Sequence, residues 1–291
     1  MELLQAKKNF NEEIGIGIPL FNGSEYIEET IKSIQLQTHK NFKIFISDNC
    51  STDNSWEILS KLSMDDNRIH LFRQSSPINV YKNYEFVRDY FSNSFFMWHA
   101  SDDAIEPKFI EKLLVILKRH PEIACVASDV KRIDAQGNYI DTISLNENRY
   151  SESKINLNQI QKHFFKNPTT NTHFSIYGLF RMKFLKKVSM NLNGKIRFNS
   201  GSEIPQLAQV ALEGRIYSIN DALKLYRVHD DSLFNQERNN ATLQERLLNY
   251  LNISNCLLGI IFRSSEKFSL KINLCLTVIY SFGRSFLKKL F

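Results

Sequence analysis

Phe95-Phe96-Met97-Trp98-His99-Ala100-Ser101-Asp102-Asp103 is an apolar, aromatic run that ends abruptly in two adjacent carboxylates. The run reads as a buried strand. At its end the chain leaves the sheet and presents negative charge. Adjacent like charges repel, so the pair calls for a cation. A divalent metal with oxygen ligands, its shell completed by phosphates, answers that need. The plainer alternative is a helix start, with Asp102 or Asp103 capping a helix that opens near Pro107.

The chain before and after this stretch repeats one arrangement. Ile14-Gly15-Ile16-Gly17-Ile18-Pro19, Phe42 to Ser47, Ile69 to Phe72 and Ile123 to Ala127 are short apolar runs of the kind that form buried strands. Between them lie helical spacings: Ile27, Ile31 and Ile34 after a possible cap at Ser24; Trp56, Leu59 and Leu62 after Asp53; Val80 to Tyr90; and Ile110, Leu113, Leu114 and Leu117 after Pro107. Strands alternating with helices predict an α/β fold, a mostly parallel sheet covered by helices. Ligands of such sheets bind beyond the carboxyl ends of the strands. Asn22, Asp48 and the Asp102-Asp103 pair all fall at such ends. The Gly15-x-Gly17 pair lacks the third glycine of a dinucleotide-binding turn, and Pro19 interrupts it.

Further on, Lys131 to Ile140 reads as a hairpin, Asp141 to Lys154 as a polar loop, and Ile155 to Phe165 as a helix. The stretch Phe198 to Ser202 reads as a loop before a helix from Glu203 to Leu212 that tolerates Pro205 in its first turn. Arg215 to Ile219 and Ala222 to Val228 read as two strands. Residues 1–234 form one expected domain, and 235–291 a basic helical tail.

Composition narrows the setting. The chain has 291 residues and is 43% hydrophobic, which supplies a sizeable core. Met1 to Glu13 is polar and charged rather than an apolar leader. Four cysteines stand far apart with no CxxC, which fits a reducing, cytoplasmic setting. The net charge is +6, and from Gln236 onward eight Lys/Arg face three acids, so nearly all the excess sits in the tail. A basic, apolar tail suggests an anionic membrane surface, here the inner face of the membrane. Its apolar run from Ile272 to Phe282 is too short for a span of about 20 residues. The competing expectation is an amphipathic helix packed on the domain, its cations favouring the helix C-terminus. No nucleic-acid motif accompanies the charge, so nucleic acid is not an expected partner.

Four segments taken together resemble the family 2 glycosyltransferases of GT-A fold: Ile16 to Asn22, Ile46 to Asp53, Ser101-Asp102-Asp103, and Tyr226-Arg227-Val228-His229. The resemblance covers about Ile14 to Ser232. It implies an inverting transfer of a sugar from a nucleotide-diphospho-sugar, most simply a UDP-sugar, to a glycan or lipid-linked acceptor in surface-polysaccharide assembly. It implies a divalent metal, Mg2+ or Mn2+. Carried over by position, Phe21, Asn22, Glu25 and Asp48 hold the base and ribose. Asp102 meets ribose or metal and Asp103 the metal, while His229 closes over metal or diphosphate. Glu203 matches the place of the catalytic base. Each has a plainer reading: Asp48 as a turn cap, His229 as a loop histidine, Glu203 as an acid favoured at its own helix N-terminus. Ala100 and Asn49 stand where many relatives carry acids, which leaves room for a silent nucleotide-sugar-binding module on the same fold. Trp98 and His99 are possible ligand contacts, though core packing suits Trp98 better. Tyr177, Gly178 and Arg181 are candidates for an acceptor wall.

Overall fold

The computed structural model describes residues 12–145, 171–188, 203–230, 242–265 and 270–279. The expected helix at 155–165 and the loop at 198–202 lie outside them. In chain order the strands are β1 (Ile14–Leu20), β2 (Phe42–Asp48), β3 (Ile69–Arg73), β4 (Phe95–Trp98), β5 (Ala104–Ile105), β6 (Cys125–Ile133), β7 (Tyr139–Ile143), β8 (Leu179–Arg181) and β9 (Ile216–Arg227). The helices are α1 (Ile27–Gln35), α2 (Ser55–Asp65), α3 (Val80–Asp89), α4 (Phe109–Arg119), the single turn α5 (Met182–Leu185), α6 (Ile204–Gly214), α7 (Leu243–Arg263) and α8 (270–279).

One sheet runs in the order β3-β2-β1-β4-β8-β6-β9-β5, with β7 paired to β6. The pairs β3–β2, β2–β1, β1–β4 and β6–β9 are parallel, and β8 lies antiparallel between β4 and β6. This is the expected mostly parallel α/β sheet. The carboxyl ends of β1, β2, β4, β6 and β9 therefore share one edge.

Strand alternation divides the core between the two faces. Ile14, Ile16, Ile18, Phe95 and Met97 point to the side covered by α1 and α4. Phe96 and Trp98 point to the side covered by α3, α6 and α7, where Trp98 meets Phe180 edge-on at 5.6 Å. Gly15 and Gly17 also face this second side. A Cβ on Gly15 would lie 2.6 Å from the Phe91 ring, and one on Gly17 would lie 2.8 Å from Phe96 and Val87. The two glycines thus let aromatic side chains approach the strand and have no part in holding phosphate.

Several local expectations are corrected. The N-cap of α1 is Tyr26, not Ser24, whose backbone N–H donates instead to Asp53. The acid pair caps no helix: β5 separates it from α4, whose N-cap is Lys108. The polar segment after the hairpin starts inside β7. The two strands expected near residues 215–228 are one continuous β9, because β6 pairs along its whole length with register shifts near Ser128 and Asp129.

The tail joins the body. Thr242 and Glu245 cap α7 reciprocally, side chain to backbone. Ile253, Leu257, Ile260 and Ile261 of α7, with Leu274, Cys275 and Val278 of α8, share one buried cluster with Leu207, Ala208 and Ala211 of α6. The described parts of the tail, 242–265 and 270–279, thus have a face packed on the domain. No described helix is long and apolar enough to cross a membrane. Leu257→Ala, at a fully buried site in this seam, is expected to cost about 2–5 kcal/mol. Urea unfolding followed at Trp56 and Trp98 should then show one transition at lower denaturant. A separate early transition beside an unmoved main one would make the tail an appendage.

Candidate functional site

The shared carboxyl edge opens into a cavity of about 610 Å3, a size suited to a small-molecule ligand. Its wall includes Phe21, Asn22 and Glu25 after β1, Asp102 after β4, Glu203 at the start of α6, and His229 after β9. Six of the eight residues expected at the site thus reach one cavity. The other two, Asp48 and Asp103, do not.

Asp48 is fully buried beneath the end of β2. One carboxylate oxygen accepts the Ser51 N–H at 2.9 Å, and the other pairs with Arg73 Nε at 3.2 Å. Its role here is the turn cap. Asn49 reaches the cavity wall instead, and its amide clamps Ile78 by donating to the carbonyl and accepting the N–H. The loops after β1 and β2 are laced together. Asn22, in the left-handed region at φ 50, accepts the Thr52 N–H and donates its own N–H to Ser51 Oγ. Gly23 N–H donates to Ser55 Oγ, and Ser24 N–H to Asp53.

The two carboxylates of the acid pair have opposite surroundings. Asp103 is buried, with Oδ1 accepting the Arg227 N–H at 2.9 Å and Oδ2 paired to Lys224 Nζ at 2.9 Å. Burial pushes its carboxyl above the ordinary aspartate range, against the lowering pull of Lys224. Both oxygens are thus engaged, and the expected metal contact of Asp103 is replaced by a structural one. Asp102 turns outward. Its Oδ2 accepts from His229 Nε2 at 3.0 Å, and the His229 ring packs on Tyr26 with centroids 4.9 Å apart. Arg227 holds this loop from behind. Its guanidinium donates to the Asp102 and Ala135 carbonyls, pairs with Glu29 at 2.7 Å, and sits 4.7 Å over the Tyr26 ring.

Asp102 and His229, hydrogen-bonded to each other here, present one carboxylate and one imidazole to the cavity, donors of the kind a divalent ion takes. Among the described residues no three His, Cys, Asp or Glu side chains cluster as a metal site. Two protein donors with phosphate oxygens filling the rest is how Mg2+ is commonly held.

Glu203 is the N-cap residue of α6, with Pro205 in the first turn. Tyr84 and Tyr177 line the same part of the wall and share a hydrogen bond. Burial pushes both hydroxyls up, and the nearby Glu203 and Asp103 carboxylates push them further, so both stay neutral donors. Sequence reading missed Tyr26, Tyr84 and the aromatic group of His173, Phe174 and Tyr226 on the far wall. Only the Tyr226-Arg227-Val228-His229 motif pointed toward any of them.

Other candidates lie elsewhere. Trp98 is a core residue whose Nε1–H donates to the Tyr84 carbonyl. His99 is fully buried, and burial with the nearby Lys224 charge drives its pKa well down; its neutral ring donates Nδ1–H to the Ala100 carbonyl. Gly178 faces the Val126 carbonyl, and Arg181 bonds carbonyls near Ile123. Of the proposed acceptor wall only Tyr177 lines the cavity.

Residues 16–189 match the model of glycosyl transferase family 2. An uncharacterized glycosyltransferase of Haemophilus influenzae is 24% identical over 254 residues, covering 82% of this chain and 74% of that one. Chondroitin synthase of Escherichia coli is 29% identical over 152 residues, 52% of this chain and 22% of the synthase. Among solved structures, S. aureus TarS 1–349 in complex with UDP-GlcNAc superposes with a TM-score of 0.69 at 15% identity, covering 94% of this chain and 74% of that one. The mannosyltransferase PcManGT of Pyrobaculum calidifontis, in complex with GDP-Man and Mn2+, gives 0.58 at 10% identity over 96% and 80%. These likenesses show a GT-A fold.

Lys224→Met leaves Asp103 buried without its cation, expected to cost about 3–5 kcal/mol. The sign of its pH dependence follows from Asp103. A carboxyl raised in the folded state holds its proton after the unfolded chain has lost it, so stability falls as pH rises through that window. Removing Lys224 extends the window upward. Urea titrations should therefore show a larger loss at neutral pH than near about pH 4. An equal loss at both would mean that Asp103 carries no charge to compensate.

Proposed function

We propose that this chain, which belongs to glycosyl transferase family 2, moves a sugar with inversion from a nucleoside diphosphate sugar to a hydroxyl of a glycan or lipid-linked acceptor. Family membership makes it a glycosyltransferase, related to enzymes of polysaccharide biosynthesis. The observation that carries the finer reading is the Asp102–His229 pair, 3.0 Å apart on the wall of the cavity that Glu203 also lines.

The geometry of the cavity supports the following division of labour. Phe21, Asn22 and Glu25, on loops already tied to each other, bound the end that takes base and ribose. Asp102 and His229 would hold Mg2+ or Mn2+, which when bound neutralises charge on the departing diphosphate. Glu203 takes the proton of the acceptor hydroxyl as that oxygen attacks. Its place at a helix N-terminus favours the carboxylate form. Tyr84, kept neutral and accepting from Tyr177, orients groups by donating. UDP is the proposed carrier, in keeping with the UDP-GlcNAc of TarS; GDP, as in PcManGT, is the alternative to test.

Hydrolysis and transfer should be assayed with UDP- and GDP-sugars, with Mn2+, Mg2+ and a chelator. Turnover is expected with a UDP-sugar and metal and not with chelator; undiminished turnover in chelator would remove the metal from the reading. Glu203→Gln is expected to lower kcat about 100-fold or more while nucleotide affinity by calorimetry stays within about twofold of the parent. Asp102→Asn should instead weaken nucleotide binding in the presence of metal and leave metal-free binding nearly unchanged. A Glu203→Gln enzyme of normal kcat would dismiss it as the base.

A further inference from the structure

The inner faces of α7 and α8 are accounted for by their packing on α6, but their outer faces are not. Leu248, Leu251 and Phe262 fall within an arc of about 60° around α7, given 3.6 residues per turn. Ile272, Leu276 and Ile279 share one face of α8 by the same spacing. These six side chains are between 43% and 62% exposed. Single exposed leucines are ordinary, but two neighbouring helices with apolar outer stripes form a surface that has a use.

Charge says what covers it. Across the described parts of both helices the one carboxylate is Glu245, which is engaged in the capping box. The exposed Asn255, within the arc of the α7 stripe, and Asn273, beside that of α8, are uncharged. Arg263 and Lys271 stand where the two helices meet, and Lys271 Nζ donates to the Phe262 carbonyl, fixing one helix against the other. The sequence then runs on through Phe282, Arg284, Phe286, Lys288, Lys289 and Phe291 without an acid. An apolar face flanked by the cations Arg263 and Lys271 and by neutral amides is complementary to an anionic lipid surface, where side chains enter among the acyl chains and cations meet phosphates. A second copy of the chain would bring the same cations against each other.

We propose that the outer faces of α7 and α8 dock this protein on an anionic bilayer, lying along the headgroup layer. Over their described residues neither helix is long and apolar enough to cross it. The docking is independent of the chemistry in the cavity, so either can fail while the other stands.

The test is co-sedimentation of the full chain with phosphatidylcholine vesicles, with and without phosphatidylserine, at low and high salt. The chain is expected to pellet with the anionic vesicles and to be released by salt. Leu248→Gln, Leu251→Gln and Phe262→Gln combined should reduce binding at least about tenfold, by loss of inserted apolar surface. Because these positions are exposed, thermal unfolding and donor hydrolysis should stay unchanged. Arg263→Gln with Lys271→Gln should lower binding to anionic vesicles about fivefold or more and leave the weak binding to neutral ones as it was. Equal pelleting of the triple variant, or no pelleting of the parent, overturns the proposal. So does light scattering that shows a dimer dissolved by the triple variant, which would assign the surface to self-association.

Discussion

The buried carboxylate of Asp103 is the point on which the site depends. Lys224 and the Arg227 backbone, both from β9, hold its two oxygens, while the Asp103 and Ser101 carbonyls accept from Thr30 Oγ1 of α1. Burying an ion pair in this way gains little net stability, since desolvation offsets most of the attraction. Its effect is geometric. It fastens the loop after β4 to a strand from the far end of the chain, and so fixes which way Asp102 faces. Arg227 repeats the fastening one step outward, reaching α1 through Glu29 and the β6–β7 hairpin through Ala135. The cavity edge is therefore a set of cross-tied loops, held in place before any ligand arrives. Catalytic sites built on such supports lose little to reorganisation.

The acid pair also explains what the sequence could and could not tell. An apolar run cut off by charge marks a strand end, and the strand β4 and the loop were both legible. Adjacent residues give no sign of which carboxylate turns inward, because that depends on Lys224, which is 121 positions later and paired at 2.9 Å. Asp48 has the same history: its Asp-Asn-Cys-Ser segment announced a polar turn, but Arg73 arrives from the end of a different strand. The alternating helices and strands of the first half were readable because each element buries one periodic face. β5 and β8, two and three residues long, carry no period to read. β8 exists because β4 and β6 supply hydrogen-bond partners on its two sides, and β5 because β9 supplies them along the sheet edge. The tail showed its amphipathic spacing plainly, yet spacing alone could not distinguish a protein core from a bilayer. The structure shows apolar residues on both sides of α7.

The family model ends at residue 189, before α6 and β9. The residues that complete the site, Glu203, Lys224, Arg227 and His229, all lie beyond it. The loops after β1, β2 and β4 lie within the matched part.

That later part has a mechanical meaning of its own. Glu203 opens α6 and His229 follows the end of β9, and the two elements are joined by a single reversal at Arg215, a non-glycine residue at φ 69 whose guanidinium bonds back to the Ala211 and Leu212 carbonyls. The unit has the form of a pair of calipers. One jaw carries Glu203, the other the histidine beside Asp102, and the pivot is stiffened by its own side chain. The distance between these two cavity-lining residues is thus tied to how α6 and β9 are joined at Arg215.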